Sequence, residues 1–314
     1  MKSLSRRTVL KGLGRTSLAA LLPGGVGVFA QQATLDVTQL NQTMFVVHGP
    51  DANVFVIDTG EGPILVDGGA AAWSPDLLAL VTERTQGKPV RALINTHWHP
   101  EQTGSNLELG EQGVEIIAHD NTRLWLSTEV EQRWSGLNFA PLPQVARPGS
   151  TIYDSSERLI GGHTLQLGYL LHAHTDGDLY VQLPAANILF AGGFLTNDRW
   201  PVIDWWTGGW SGGVLNAFES VLAVCNEDTV IVPSSGKPMR YGELQEQREM
   251  YLAIFDKVHT GFAKSLGPDE IVASMPAAGF KPQWGDAGLL IRLAAQSLQG
   301  HLRSGVGDWL PRIP

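Results

Sequence analysis

Between residues 35 and 67 the chain sets down apolar runs of four to six residues broken by turn clusters. The runs are Met44-Phe45-Val46-Val47, Asn53-Val54-Phe55-Val56-Ile57-Asp58 and Pro63-Ile64-Leu65-Val66-Asp67. They are separated by His48-Gly49-Pro50-Asp51 and Thr59-Gly60-Glu61-Gly62, a pattern that predicts consecutive β-hairpins. Ser74-Pro75 then predicts a helix to about Arg84, with Ser74 as N-cap and Pro75 at the first helical position. Strands are predicted at 90–95 and 113–118, and an amphipathic helix from Asn121. Residues 134–150, rich in Pro, Gly and aromatics, predict a long loop of the kind that borders a pocket.

The second half repeats the style, with strands at 164–167, 170–172, 179–183, 187–191 and 229–232. Helices are predicted at 213–224 and 241–264, and again around 287–302. Two sheet-rich halves, each with helices outside, predict an α/β fold of the four-layer αβ/βα sandwich type. With 43% hydrophobic residues in 314 positions the chain can bury a large core, and no repeat or low-complexity tract divides it. One domain over 31–314 is expected, with a helical extension from about 241.

The first thirty residues read differently. Ser5-Arg6-Arg7-Thr8-Val9-Leu10-Lys11 resembles a twin-arginine motif, and a short, glycine-containing apolar stretch follows over 18–29. The expectation is a signal peptide over 1–30 that engages the twin-arginine export machinery and delivers a folded protein to the bacterial periplasm. The apolar stretch is too short and too glycine-rich to span a bilayer comfortably, so no membrane insertion of the mature chain is expected. The leader holds five basic residues and no acidic one, so cleavage takes the formal charge from −9 to −14. An acidic mature chain is a poor candidate for binding nucleic acid or anionic membrane by electrostatics; a small-molecule substrate is the partner expected. The single cysteine, Cys225, rules out an internal disulfide, and its apolar neighbours predict an inert side chain.

Candidate chemistry concentrates after the strand at 90–95, in Thr96-His97-Trp98-His99-Pro100-Glu101-Gln102-Thr103-Gly104. Two histidines one residue apart, just past a strand end, direct both imidazoles into one space if the backbone turns there. With Leu65-Val66-Asp67-Gly68-Gly69, Ile117-Ala118-His119-Asp120, His172-Ala173-His174-Thr175-Asp176-Gly177-Asp178 and Val230-Ile231-Val232-Pro233, the motif resembles the metallo-β-lactamase superfamily in order and spacing from about 40 to 240. The resemblance implies a first metal on His97, His99 and His174. Three imidazoles leave a fourth position for water, the arrangement in which zinc generates hydroxide near neutral pH.

The family's second-metal positions read Glu101, Gln102, Gly193 and Ser235 here, so a second metal held in that manner is not expected. The resemblance therefore implies one zinc ion, with iron or no metal left open. The implied function is an exported hydrolase acting on an ester, lactone, amide or similar carbonyl. A non-catalytic protein that binds a small molecule or a protein partner is the alternative.

Glu101 is the candidate general base, or else a hydrogen-bond partner of a ligand histidine. Asp67, Asp178, His172 and Gln102 are expected to support the ligands or line the open side. Trp200, Trp205, Trp206 and Trp210, four tryptophans in eleven residues, together with Trp98 are expected as an aromatic substrate wall. Asp198 is a candidate replacement for the missing bridging carboxylate. The leader yields a direct prediction: the intact mass of exported protein corresponds to a chain beginning at Gln31, and a mass starting well before it contradicts cleavage near Ala30.

Overall fold

The computed structural model describes residues 35–303, with side chains to residue 300. The expected leader lies outside the described residues.

Period-two alternation along the first strands sets the layers. After the edge strand β1 (Asp36–Gln39), the predicted hairpins appear as β2 (Met44–His48), β3 (Asn53–Asp58) and β4 (Pro63–Val66). All pair antiparallel, with Val46 opposite Phe55 and Val56 opposite Leu65. Met44, Val46, Phe55, Ile57, Ile64 and Val66 face a central core, whereas Phe45, Val47, Val54, Val56 and Leu65 face the opposite side. The helix α1 (Ser74–Arg84) covers that outer side through Leu77 and Val81.

β5 (Ala92–Ile94) adds to β4 in parallel, and β6 (Glu115–His119) adds to β5. Between them lie α2 (Pro100–Thr103) and α3 (Asn106–Glu111); α4 (Asp120–Trp125) follows β6. A separate hairpin, β7 (Val130–Gln132) and β8 (Leu137–Phe139), stands before β9 (Ser150–Ile152), which returns to pair with β6. Among the described residues this sheet has seven strands in the order β1-β2-β3-β4-β5-β6-β9.

The second sheet runs in sequence order: β10 (Ser156–Ile160), β11 (His163–Leu170), β12 (Asp178–Leu183), β13 (Ile188–Phe190) and β14 (Val230–Val232). Leu165, Leu167, Leu179, Val181, Ile188 and Phe190 meet the first sheet in the central core, where Phe55 and Phe190 stack at 6.4 Å. The outer face is packed by α5 (Ser211–Val224), α6 (Tyr241–Ala263), α7 (Pro268–Ala273) and α8 (Gly288–Arg303). The result is the expected αβ/βα order, with helices from the last third of the chain supplying the layer outside the second sheet. No helix among the described residues is long and apolar enough to cross a membrane. Cys225 is half-buried at the end of α5, and burial pushes its thiol up to about 11.

Several local expectations change. Ser74 does not cap α1: a 3₁₀ turn over Ala71–Trp73 leads into the helix, and the Ser74 hydroxyl meets Ser105 Oγ at 2.8 Å instead. Residues 170–172 do not form a strand of their own. β11 ends at Leu170, and His172 adopts a left-handed φ of 52° because the chain must turn to lay residues 173–178 over the site. The loop expected at 134–150 holds the tip of the β7–β8 hairpin and a 3₁₀ turn at Gln144–Ala146. β10 and β9 escaped notice because one is a mixed edge strand and the other only three residues long.

Phe190 is fully buried between the two sheets. Phe190→Ala is expected to cost about 3–5 kcal/mol, read as a lower urea midpoint at unchanged slope.

Candidate metal centre

The site lies where β4, β5, β13 and β14 end and where β11 turns into β12. Beyond β5 the chain passes through Asn95, whose amide exchanges hydrogen bonds with the Asn106 amide at 3.1 and 2.8 Å. That buried pair fixes the turn from which His97 and His99 project.

Each triad imidazole is held from outside by one ring nitrogen. Asp67, at φ 63°, accepts from the Thr96 backbone N–H at 2.7 Å and the Thr96 hydroxyl at 2.8 Å. With its proton given to Asp67, Thr96 Oγ1 accepts from His97 Nδ1 at 3.0 Å. His99 Nε2 donates to Asp204 Oδ2 at 3.2 Å, and His174 Nδ1 donates to the Val202 carbonyl at 2.6 Å. Asp178 secures the backbone beneath His174, accepting from the N–H groups of His174 at 2.5 Å and Thr175 at 2.8 Å, and from the Thr175 hydroxyl. Burial pushes the carboxyls of Asp67 and Asp178 up to about 8, against the pull of these donors.

These outward bonds assign the tautomers and leave three lone pairs, on His97 Nε2, His99 Nδ1 and His174 Nε2, facing inward. The three residues are all buried, and their ligand atoms lie within 4.8 Å of one another. His99 Nδ1 and His174 Nε2 stand only 2.9 Å apart with both ring protons committed elsewhere. Two facing lone pairs at that distance repel unless a cation or an extra proton lies between them. Burial first, and then neighbouring imidazoles, hold His97 and His174 well below the ordinary histidine range, which disfavours an extra proton on either of these two rings. A buried set of three imidazoles with convergent ring nitrogens fits a metal ion.

Gly193 follows β13, directly behind the triad. A Cβ there would lie 2.4 Å from His174 Cδ2 and 2.8 Å from His97 Cε1. Only glycine lets this backbone pass so close behind the two rings.

A cavity of about 180 Å³ opens onto the triad, lined also by Glu101, Gln102, Trp134, Arg199, Trp200 and Ser235. Glu101 sits in the first turn of α2 and makes no hydrogen bond or ion pair among the described residues, so it does not bind a triad histidine. Gln102 is buried, and its side-chain oxygen has no hydrogen-bond partner. His172 departs from the expected place beside the triad: the turn at Leu170 exposes it and leaves its Nδ1 against the Gly208 carbonyl at 3.0 Å. Asp198 stands outside the metal-capable group, its carboxylate taken by Ser235 Oγ at 2.6 Å and by Arg199 at 2.9 and 3.1 Å.

The tryptophans divide. Trp200 lines the cavity. Trp205 and Trp210 pack with the outer helices, Trp206 carries the Arg133 guanidinium 4.0 Å from its ring centre, and Trp98 is buried under the β7–β8 hairpin with Leu126 and Val130. Trp134 lines the cavity and was not foreseen, nor was Asp204. The one sequence signal for Asp204 is Thr207 three residues later, whose N–H and hydroxyl both bond its carboxylate.

The model of the metallo-beta-lactamase superfamily matches residues 49–251. The chain belongs to that superfamily. Solved metallo-β-lactamases resemble it in fold: one from Pontibacter korlensis at 21% identity and TM-score 0.57, covering 69% of this chain and 99% of its own. A second, from Hirschia baltica, has 23% identity and TM-score 0.55, covering 69% and 97%. The stereoselective inverting sec-alkylsulfatase Pisa1 from Pseudomonas sp. is similar at 16% identity and TM-score 0.65, over 88% of this chain but 52% of that one. This superfamily member thus keeps a histidine triad suited to a metal ion.

Asp204 is the outer partner of His99. Asp204→Ala is expected to weaken metal binding about 10–100-fold, measured by competition with a chromogenic chelator, with thermal unfolding of the metal-free protein as the control.

Proposed function

We propose that this chain is an exported, metal-dependent hydrolase that uses a single zinc ion on His97, His99 and His174 to cleave an ester, lactone, amide or similar carbonyl substrate. The observation that supports it is the convergence of three buried imidazoles whose ligand atoms lie within 4.8 Å of one another, each ring fixed through its other nitrogen. A zinc ion held by the triad supplies a Lewis acid and lowers the pKa of a coordinated water to about 7.

The protein's own groups do the rest. Thr96, Asp204 and the Val202 carbonyl keep the three rings in one tautomer and one orientation. Glu101, a carboxylate of the cavity wall without a hydrogen-bond partner among the described residues, accepts the proton of the attacking water and returns it to the leaving oxygen or nitrogen. Gly193 and Ser235 contribute no replacement for the second metal's carboxylate and imidazole; Ser235 spends its hydroxyl proton on Asp198. The twin-arginine leader supports a periplasmic location and export of a protein that is already folded.

Protein purified without chelator is expected to carry about one zinc per chain and to hydrolyse carbonyl esters. His97→Ala, His99→Ala and His174→Ala each lose the metal and the activity, while Glu101→Gln keeps the metal and loses about 10²–10⁴-fold in kcat. A protein that stays metal-free after zinc is added contradicts the mechanism. A ligand bound equally well without the three histidines supports a non-catalytic binding role instead.

A further inference from the structure

The β7–β8 hairpin is the part of the cavity wall that neither the triad nor the proposed mechanism uses. Its base rests on a small core of its own: Trp98, Leu126 and Val130 are buried together, and the Trp98 and Phe139 rings meet at 6.2 Å. Its tip, residues 132–136, is closed by bonds from the Ser135 and Gly136 N–H groups to the Gln132 carbonyl, with Gly136 at φ 72°. Arg133 leaves the tip sideways and lies over Trp206, a cation–π contact that ties the hairpin to the segment carrying Asp204. Trp134 points the other way, lines the cavity, and sets its ring 5.2 Å from the His99 ring.

Trp200, also in the cavity wall, is braced from behind. Its ring meets Trp284 at 5.2 Å and Tyr251 at 6.3 Å, and its indole N–H donates to the Gly285 carbonyl at 3.1 Å. Two fixed indoles in one small cavity offer flat apolar surface at little entropic cost. The charges beside them argue against an anionic occupant. Arg199 is engaged by Asp198 through two hydrogen bonds and feels Asp51 as well, and Glu101 adds an uncompensated negative charge.

We propose that Trp134 and Trp200 form a subsite for a planar, apolar, uncharged group of the substrate, placed beside the histidine triad. The substrate class is thereby an ester, lactone or amide of an aromatic acid or aromatic leaving group, and this rests on the hydrolase reading above. The β7–β8 hairpin is the element that sets this preference.

The test uses a ketone, which has no bond to hydrolyse. The protein as purified is titrated calorimetrically with 2-acetonaphthone and with butanone, a small ketone lacking the ring. 2-Acetonaphthone is expected to bind at least about tenfold more tightly than butanone, and Trp134→Ala and Trp200→Ala are each expected to remove about tenfold of that affinity. Trp134→Phe, which restores a flat ring at the hairpin tip, recovers most of it. Unchanged affinity in both alanine variants, or no preference for the naphthyl ring, overturns the subsite. Ring binding that depends on both tryptophans in a protein that cleaves no ester supports the subsite and counts against the hydrolase. Ester cleavage that is indifferent to both tryptophans does the reverse.

Discussion

The structure depends on three imidazoles whose ring protons all point away from one another. His97 gives its proton to Thr96, His99 to Asp204 and His174 to the Val202 carbonyl, so three lone pairs meet in a buried space with nothing of the protein's own between them. That arrangement brings His99 Nδ1 and His174 Nε2 to 2.9 Å of each other. It persists because each outer partner is itself locked. Asp67 holds Thr96 by two bonds, Asp178 holds the backbone under His174, and the Asp204 backbone N–H bonds the His174 carbonyl at 2.9 Å. A site positioned in this way is prepared for a cation, and a cation bound only by the folded chain stabilises that fold.

Gly193 constrains the triad from behind. Its backbone runs so close to His97 and His174 that any β-carbon would strike a ring, so no side chain fits at this position without moving the triad. Ser235 is bonded to Asp198, Asp198 to Arg199, and Glu101 faces the cavity unpaired. The polar groups beside the triad thus largely satisfy one another, whereas the Glu101 and Asp51 carboxylates and the buried Gln102 oxygen have no hydrogen-bond partner among the described residues.

Most of the fold was legible because it follows from period and punctuation. The β2–β4 hairpins are separated by glycine-containing turns, and the long helices α5, α6 and α8 begin and end within two residues of where their patterns place them. The triad was legible because its spacing matches a family whose architecture brings distant loops together. What escaped was decided by tertiary packing. Alternation over 170–172 looks like a strand, yet only the backbone turn tells that His172 faces solvent. Asp198 and Asp204 lie six residues apart in one segment with nothing local to distinguish them. The fold sends Asp204 inward to His99 and leaves Asp198 to a surface arginine.

The tryptophans carry the same lesson one step further. Trp98 stands between the two ligands of the His-Trp-His segment, and its position in sequence suggests contact with substrate. In the fold it turns under the hairpin, and its indole N–H donates to Thr207 Oγ1 at 3.0 Å. Thr207 bonds Asp204, and Asp204 bonds His99. A single side chain therefore supports the hairpin that places Trp134 over the cavity and, through Thr207, the carboxylate that orients a ligand beneath it. The hairpin and the carboxylate bonded to His99 thus share one support, a chain of four hydrogen-bonded side chains that runs from Trp98 through Thr207 and Asp204 to His99.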